Sequence, residues 1–515
     1  MSEIVNQSLQ KIAKGTGIVF IGTMIGMFLG FIGTVIIVRY LTTSEYGLFS
    51  LALTVGIIAG ISNLGIGEGA TRYIAYFRGQ QASKKISGVI VASVQITVIA
   101  SVLCSVLVFL SSDAISLAIL QNNDLSTILK ILSITIPFSV LSGTVISIFR
   151  GFGVVNAKVY FNDVFLQILR ISFFAAVVFL GLSLIGAVYA YLGVVVITCA
   201  ALVVYAVKKV PVLVGKVRGY EPMRKELLLF SLPLFGQGIL AIIIISTDKL
   251  MLGYFKTAEV VGLYSVASTL ANLIPIFLTS LAFIYVPIVS QLYAKNLLDE
   301  IRRTYAVLTK WVFSAALPIF LIMFLFPDSV LNILFGARYM QAGIALQLLA
   351  LGFFTHSFLG PNGMTLMVMG KTRILLVFAL IQTIMNVSLN FLLIPPMGIA
   401  GAAVASAVSI TTINLLASTE LYLFSKTHPF TKNYLKPVVI SIMLVIVIST
   451  LAKDLFTVLS IWMLVLFFIL FLVAYIMLIV ITRSFDKEDI DMLLAIEKRV
   501  GADFGPIKRI LKKFI

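Results

Sequence analysis

The sequence predicts an all-α protein that crosses a lipid bilayer about fourteen times. Three observations carry this prediction: the composition, the length of the apolar runs and the distribution of positive charge. The 515 residues are 60% hydrophobic and only 11% charged, with a mean hydropathy of +1.11, whereas soluble domains carry about 25% charged residues. This composition excludes a soluble enzyme, a disordered chain and a disulfide-stabilised scaffold. Cys104 and Cys199 show neither metal-binding nor redox spacing.

Fourteen apolar runs are long enough to cross the membrane as helices. A helix needs about 20 apolar residues to span the hydrocarbon, and backbone groups in lipid must be paired within their own segment. The alternating polarity of strands is absent from the sequence. In chain order the predicted spans are 17–38, 47–67, 88–110, 128–148, 162–182, 184–206, 227–247, 261–284, 307–326, 343–369, 373–394, 398–424, 437–452 and 456–481.

The first predicted span has a glycine face. Gly22, Gly26 and Gly30 recur every fourth residue, which places them on one side of a helix and allows a second helix to approach closely. The run is too long for the apolar core of a signal peptide and lacks a small-residue cleavage site. We therefore expect a permanent membrane helix.

The positive charges predict the orientation. With a cytoplasmic N-terminus, 31 of the 38 Lys and Arg residues fall on or near the cytoplasmic side, six on or near the outer side and one, Arg170, well inside a span. Lys and Arg are enriched in cytoplasmic loops, so topology explains the net charge of +17 and nucleic-acid binding is not needed. Both termini are predicted to be cytoplasmic, in a plasma or inner membrane. The basic residues 507–514 are expected to lie on its anionic inner leaflet.

The chain resembles itself at an offset near 215 residues. Residues 40–54 match 254–269 with one insertion, and residues 185–190 match 400–405. Six spans per repeat is an even number, so both copies enter from the same side, with a pseudo-two-fold axis along the membrane normal. This predicts two six-helix lobes facing a central cavity. The predicted regions are an N-lobe at 1–215, a C-lobe at 216–430, and spans 13 and 14 with a basic amphipathic cytoplasmic tail at 431–515.

Eight further segments together carry a family resemblance. They are residues 227–235, 247–253, 261–267, 334–339, 369–371, 386–390, 394–395 and 398–403. Their order and spacing resemble the polysaccharide-transport flippases of the multidrug/oligosaccharidyl-lipid/polysaccharide exporter (MOP) superfamily. The resemblance implies a transporter without cofactors, not an enzyme, that moves polyprenyl-(pyro)phosphate-linked oligosaccharide from the cytoplasmic to the outer leaflet by alternating access. The implied partners are this substrate, membrane lipids, and a glycan polymerase or glycosyltransferase.

An anionic, sugar-rich head group needs a few cations and many neutral hydrogen-bonding groups, and charges inside spans are usually functional. Arg170 lies well inside span 5, and its guanidinium suits bidentate phosphate contacts. Asp163 lies seven residues earlier, on the same helix face, so an internal charge pair is one alternative and snorkelling of Arg170 is another. The other substrate-binding candidates, which interface anchoring or helix-to-helix hydrogen bonds would also explain, are Arg150, Arg39, Gln167, Gln237 and Asn272.

The resemblance also suggests a site for a coupling cation, Na⁺ or H⁺. In some members of the superfamily, a carboxylate on span 7 and polar groups on spans 11 and 12 hold sodium. Asp248, Asn386 and Asn390 are the corresponding candidates here. The alternative for Asp248 is a local ion pair with Lys249 at the outer interface. No cluster typical of a catalytic or structural metal site is present in the sequence.

Two other functions compete with the flippase. A multidrug exporter of the same superfamily usually has twelve spans and often an acidic residue in span 1, whereas residues 17–38 contain no carboxylate. A membrane glycan polymerase or ligase would carry a long outer loop with catalytic residues. The longest predicted outer connection is the short stretch 111–127.

Overall fold

The computed structural model describes residues 3–120, 123–154, 156–209, 219–453, 469–475, 477–478 and 482. Within these ranges the chain forms helices and turns and no strand, so the all-helical prediction is confirmed. Ten helical segments in this part of the chain are long and apolar enough to cross a membrane, or eleven when a bent pair is counted as one span. The protein is therefore a multi-pass membrane protein.

The chain divides into two compact units. We call residues Ile21–Ser265 the N-unit, and the residues from Val266 onward, with those before Ile21, the C-unit. The helices that lie in the N-unit or cross its ends are α1 (Glu3–Tyr40), α2 (Thr43–Ala59), α3 (Ile66–Gly79), α4 (Ser83–Leu110), α5 (Ser112–Leu120), α6 (Asp124–Ser133), α7 (Thr135–Gly151), α8 (Leu166–Phe179), α9 (Leu184–Lys209), α10 (Arg224–Phe255) and α11 (Ala258–Ala271). Of these, α1 begins before Ile21 and α11 ends after Ser265. A π-helix at Lys158–Phe165 leads directly into α8.

The helices of the C-unit follow in chain order. They are α12 (Ile276–Ala294), α13 (Leu298–Leu325), α14 (Pro327–Phe335), α15 (Gly343–Leu359), α16 (Asn362–Val368), α17 (Thr372–Met397), α18 (Ile399–Ser425) and α19 (Lys432–Lys453). Predicted span 13 falls within α19. Most of predicted span 14, and the predicted basic tail, lie outside the described residues.

The core of the N-unit joins α3, α4, α7 and α9. Ile74, Val89, Ile148 and Leu202 are among its fully buried side chains. The second predicted span ends at residue 67, but helix α3 continues to Gly79, with one side buried in this core. The helix is interrupted between α2 and α3, where Leu64 and Gly65 adopt left-handed conformations.

Proline explains the bend in the fourth predicted span. The helices α6 and α7 meet at 40°, and Pro137 lies in the first turn of α7. Proline has no N–H, so the carbonyl of Ser133, four residues earlier, loses its helical donor. Ser105 of α4 supplies a replacement, since its hydroxyl donates to the Ser133 carbonyl at 2.7 Å.

Two predicted spans of the C-terminal half are interrupted. In place of the single helix predicted at 261–284, the structure has two helices, α11 and α12. Pro275 lies between them, directly before the first residue of α12. The helix predicted at 343–369 is replaced by α15 and α16, separated at Gly360 (φ +80) and Pro361. At both positions a proline, which has no N–H to continue the helical hydrogen bonds, lies at a turn of the backbone.

Two clusters hold the C-unit together. Buried Tyr285, Tyr305, Leu366 and Leu421 belong to an apolar core formed by α12, α13, α16 and α18. An aromatic cluster joins α13, α15 and α19. In it, Phe313 of α13 lies 5.6 Å from the ring of Tyr434, whose hydroxyl donates to the carbonyl of Phe358 at 2.7 Å.

Candidate functional site

The glycine face of α1 packs against the π-helix and α8. A Cβ added to Gly22 would overlap the side chain of Val159, and one added to Gly26 would lie 2.5 Å from the carbonyl oxygen of Asp163. Farther along α1, a Cβ on Gly30 would lie 3.0 Å from a guanidinium nitrogen of Arg170. The close approach predicted from the glycine spacing is therefore confirmed.

Arg170 lies at this crossing, near the middle of the apolar stretch Lys158–Phe179. Its Nη2 donates to the carbonyl oxygen of Gly30, which also accepts the hydroxyl of Thr34 at 3.0 Å. The Nε of Arg170 and the Oε1 of Gln167 are both buried, and neither has a hydrogen-bond partner among the described residues. The crossing thus holds a cation whose capacity to donate hydrogen bonds is only partly used.

Asp163 pairs with a residue other than the one its spacing predicted. Its Oδ2 lies 3.0 Å from the Nζ of Lys158 and accepts the hydroxyl of Thr23 at 3.2 Å. The internal charge pair between Asp163 and Arg170, one of the alternatives above, is therefore wrong. The seven-residue spacing assumed a regular α-helix, whereas Asp163 lies in a π-helix with a different residue repeat.

The two arginines at span ends lie at exposed positions. Arg150, at the end of α7, forms an ion pair with Glu68 of α3, with 2.6 Å between its Nη2 and the carboxylate. Its Nε donates to the Thr71 hydroxyl at 3.3 Å. Arg39 is exposed in the last turn of α1. Exposed pairs of this kind contribute only about 0–1 kcal/mol to stability, which leaves Arg150 available for other anions.

The candidates for the coupling cation are divided between the units. Asp248 is buried in α10 of the N-unit and accepts the hydroxyl of Tyr264. In the C-unit, Asn390 donates to the Oδ1 of Asn386 at 3.2 Å, and Asn386 donates to the hydroxyl of Ser406 at 3.3 Å. The two asparagines of α17 are thus brought together, one helical turn apart.

The last two substrate-binding candidates give less information. Gln237 lies in α10, and its side chain is outside the described part of the structure. Asn272 lies at the break after α11, where its amide donates to the carbonyl of Ser268 at 2.7 Å. The same carbonyl also accepts the backbone N–H of Asn272 at 3.0 Å, so the side chain adds a second, local bond at the end of the helix.

A self-complementary contact between α2 and α11 was not predicted. A Cβ on Gly47 would overlap the carbonyl of Ala258, and a Cβ on Gly262 would overlap the carbonyl of Thr43. One turn further, the hydroxyls of Ser50 and Ser265 are 2.7 Å apart and 215 residues apart in the chain. That separation equals the repeat offset, so repeat-equivalent residues contact each other. The offset identifies which residues correspond in the two copies, whereas the packing at Gly47 and Gly262 shows that they touch.

Solved transporter structures share this fold. The fold matches the lipid II flippase MurJ in an inward closed conformation, with a TM-score of 0.69 and 15% identity over 91% of this chain and 98% of that one. It also matches an inward-facing multidrug resistance MATE family transporter of the MOP superfamily, with a TM-score of 0.68 and 18% identity over 80% of this chain and 98% of that one. The fold is thus that of MOP-superfamily transporters.

Sequence comparison identifies the family within this class. The family model described as "Polysaccharide biosynthesis protein" matches residues 12–293, and the model described as "MatE" matches residues 233–392. The first match covers more than half of the chain, so the protein belongs to the polysaccharide biosynthesis family of MOP-superfamily membrane transporters. It is a transporter and not an enzyme, which excludes the glycan polymerase or ligase.

Three curated relatives share parts of the chain. Stage V sporulation protein B of Bacillus subtilis is 23% identical over 79% of this chain and 83% of its own length. An uncharacterised membrane protein of Methanocaldococcus jannaschii is 31% identical over 31% of this chain. The "probable low-salt glycan biosynthesis flippase" of Haloferax volcanii is 28% identical over 33% of this chain. These last two alignments span only about a third of each relative, 32% and 36%.

Proposed function

We propose that this transporter is a flippase that moves polyprenyl-(pyro)phosphate-linked oligosaccharide from the cytoplasmic to the outer leaflet. The polysaccharide biosynthesis family supports a glycan as cargo. A relative named as a glycan biosynthesis flippase and the fold shared with a lipid II flippase support a lipid-linked head group as the form in which the glycan is carried.

The observation that carries the proposal is the environment of Arg170. An arginine inside a membrane span is costly unless it faces a partner or a wet cavity. The backbone carbonyl of Gly30 takes one of its donors, and its buried Nε has no partner among the described residues. A phosphate oxygen is the acceptor for which a guanidinium is best suited. The unpaired amide oxygen of Gln167 next to it suits a sugar hydroxyl.

Alternating access between two parallel lobes is the proposed mechanism. In this proposal, fourteen spans form an N-lobe at 1–215, a C-lobe at 216–430 and a terminal addition at 431–515, with both termini cytoplasmic. The reciprocal contact of Gly47 with Gly262, and of Ser50 with Ser265, supports a pseudo-two-fold axis between repeats in the same orientation, because a two-fold contact pairs equivalent residues. Near the outer ends of α2 and α11, this contact would close the outer side and separate when the head group leaves.

A coupling cation belongs to the same proposal. The amides of Asn386 and Asn390 lie together in α17, and oxygen ligands of this kind suit hard cations. Asp248, buried in α10 of the N-unit, is the third candidate ligand. We propose Na⁺ or H⁺ as the cation that biases the direction of transport.

The test is a leaflet-resolved assay in proteoliposomes. Purified protein is reconstituted with a defined polyprenyl-diphosphate-linked oligosaccharide, and the sugar that becomes accessible to an added lectin or glycosidase is followed with time. The flippase exposes the enclosed lipid-linked sugar faster than protein-free liposomes do. Exposure at the protein-free rate contradicts the proposal.

A multidrug exporter is the second candidate, favoured by the "MatE" match over residues 233–392. The same proteoliposomes distinguish it. An exporter would move cationic dyes along an imposed Na⁺ or proton gradient and leave the lipid-linked sugar where it was. The flippase would move the lipid-linked sugar and would not transport the dyes.

A further inference from the structure

Four polar groups meet where the π-helix contacts α1. The Oδ2 of Asp163 lies 3.0 Å from the Nζ of Lys158 and accepts the hydroxyl of Thr23 at 3.2 Å. The ammonium also donates to the Thr23 hydroxyl at 3.1 Å, and the amide of Asn162 donates to the Oδ1 of Asp163 at 3.4 Å. Three donors therefore surround one carboxylate.

The π-helix explains why this cluster exists. Lys158 and Asp163 are five residues apart, and in an α-helix with 3.6 residues per turn they would point well away from each other. The i→i+5 bonding of a π-helix brings such residues to the same side. Gly26 has no side chain, so the backbone of Asp163 can approach α1 closely and its carboxylate can reach Thr23.

The two charged side chains differ in exposure. The side chain of Lys158 is 38% exposed, whereas that of Asp163 is only 8% exposed. An anion that approaches this end of the span therefore meets the ammonium first. Lys158 precedes Arg170 by about three turns of the same continuous helical stretch.

We propose that Lys158, Thr23 and Asn162 form a second phosphate subsite, which the carboxylate of Asp163 occupies when no substrate is bound. This inference rests on the proposed function and adds an entry point to it. A phosphate oxygen accepts from ammonium, hydroxyl and amide donors as a carboxylate oxygen does. The incoming (pyro)phosphate displaces Asp163 from Lys158, then passes along the helix to Arg170. Asp163 thereby limits the affinity of the resting entry site for anions.

Binding of a short probe tests this subsite. The protein is reconstituted in nanodiscs of neutral lipid and titrated with farnesyl diphosphate. Asp163→Asn keeps the shape of the side chain and removes the charge that pairs with Lys158. We therefore expect the affinity for farnesyl diphosphate to rise about fivefold, the factor that corresponds to the loss of one partly exposed ion pair. Lys158→Gln should weaken binding, and the double variant should lose the gain of Asp163→Asn.

A matched control is available in the same unit. Asp113 forms an ion pair with Lys130 at 3.1 Å, and Lys130 is also 38% exposed. Asp113→Asn should therefore leave the affinity for farnesyl diphosphate unchanged. An equal gain in this control, a gain that persists without Lys158, or no gain in folded Asp163→Asn would overturn the proposal.

A second measurement needs no substitution. An amine-reactive reagent is applied to the wild-type protein, and mass spectrometry follows the labelling of Lys158 and Lys130. Farnesyl diphosphate should protect Lys158 and not Lys130. Equal labelling of Lys158 with and without saturating probe contradicts the subsite. The labelling is repeated with inorganic diphosphate and with nanodiscs that contain phosphatidylglycerol. If either of these protects Lys158 and farnesyl diphosphate does not, the proposed subsite is also wrong.

These experiments separate the subsite from the transport function. Unchanged binding in the variants together with normal sugar exposure in proteoliposomes removes the subsite and leaves the flippase. Tighter binding of the probe by Asp163→Asn in a protein that exposes no sugar retains the anion subsite and removes the flippase.

Discussion

At the scale of single residues, the account depends on Arg170. The arginine is fixed by its bond to the carbonyl of Gly30, and the small residue allows the guanidinium to reach the backbone of α1. A buried charge that is only partly paired is expensive in a membrane protein. Its retention in mid-span is understandable if an anion pairs with it during transport.

Removing this charge should impair transport without unfolding the protein. We expect Arg170→Gln to lower the rate of sugar exposure roughly 10- to 100-fold, since a hydrogen bond to a charged group contributes ~1.5–3 kcal/mol. Arg170→Lys should recover only part of the rate, because lysine lacks the planar fork. The assay is the proteoliposome measurement at matched protein content and thermal stability.

Arg302 provides the control for that substitution. It also donates to a backbone carbonyl, that of Ser425 at 2.8 Å, but it pairs with Asp299 as well. Arg302→Gln should leave the transport rate within about twofold, because Arg302 is not part of the proposed path from Lys158 to Arg170 and surface substitutions change stability by only about 0.5 kcal/mol or less. Normal transport by folded Arg170→Gln would remove Arg170 from the substrate path.

The sequence predicted Arg170 and Gln167 as site candidates because polar groups in an apolar run stand out by hydropathy alone. It failed for the partner of Asp163, because the residues 158–165 carry no sequence signal for a π-helix. A one-residue change of helical repeat is invisible to a hydropathy pattern, yet it decides which side chains meet.

At the scale of helices, hydropathy located the spans but not their breaks. Averaging over about 20 residues identifies apolar runs and is insensitive to a single proline or glycine. The structure breaks or bends helices near Pro137, Pro275 and Gly360. Freed backbone groups at such points need other partners, as Ser105 provides for Ser133.

The glycine face of α1 yields a prediction about stability. Gly26→Ala places a methyl group against the backbone of Asp163, so we expect it to destabilise the protein by about 1–3 kcal/mol, the usual cost of overpacking. Gly56 of α2 has open space around its Cβ position. There, Gly56→Ala should be neutral or stabilising by up to about 1 kcal/mol, from helix propensity alone.

Thermal unfolding in detergent compares these two variants directly. The prediction requires a lower midpoint for Gly26→Ala than for the parent and an equal or higher midpoint for Gly56→Ala. Equal midpoints for both variants would mean that the crossing of α1 with the π-helix is looser than described.

The contact between α2 and α11 yields a prediction about motion. With Cys104 and Cys199 replaced by alanine, Ser50→Cys and Ser265→Cys together should form a disulfide, because the native hydroxyls are only 2.7 Å apart. If the helices separate during transport, oxidation should stop sugar exposure and a reductant should restore it.

Each single-cysteine variant controls for the substitutions, since it should transport at the same rate in oxidising and reducing conditions. Continued transport by fully cross-linked protein would show that α2 and α11 stay together throughout the cycle. The outer-side closure in our mechanism would then be wrong.

At the scale of the whole molecule, the class of protein followed from composition and from the order of short segments. Low charge content and long apolar runs predicted a multi-pass helical protein, and the segments between residues 227 and 403 predicted the superfamily to which it belongs. The internal repeat predicted which halves correspond, but a weak repeat does not state where its copies touch. That information came from packing at Gly47 and Gly262.

The direction of transport depends on orientation. In the predicted fourteen-span topology, 31 of the 38 basic residues fall on one side, and we expect this side to face the cytoplasm, where lipid-linked sugars would be loaded. Arg170 and the cluster around Asp163 then lie along a path from the cytoplasmic end of span 5 to the middle of the membrane.

The most direct test of outward flipping is leaflet-resolved detection of lipid-linked glycan in intact cells depleted of this protein. An impermeant lectin or glycosidase reports the glycan on the outer leaflet, and lysis reports the total. We predict that the outer fraction falls while the total is maintained or rises, and that wild type, but not Arg170→Gln, restores it. An undiminished outer fraction in depleted cells would contradict the account.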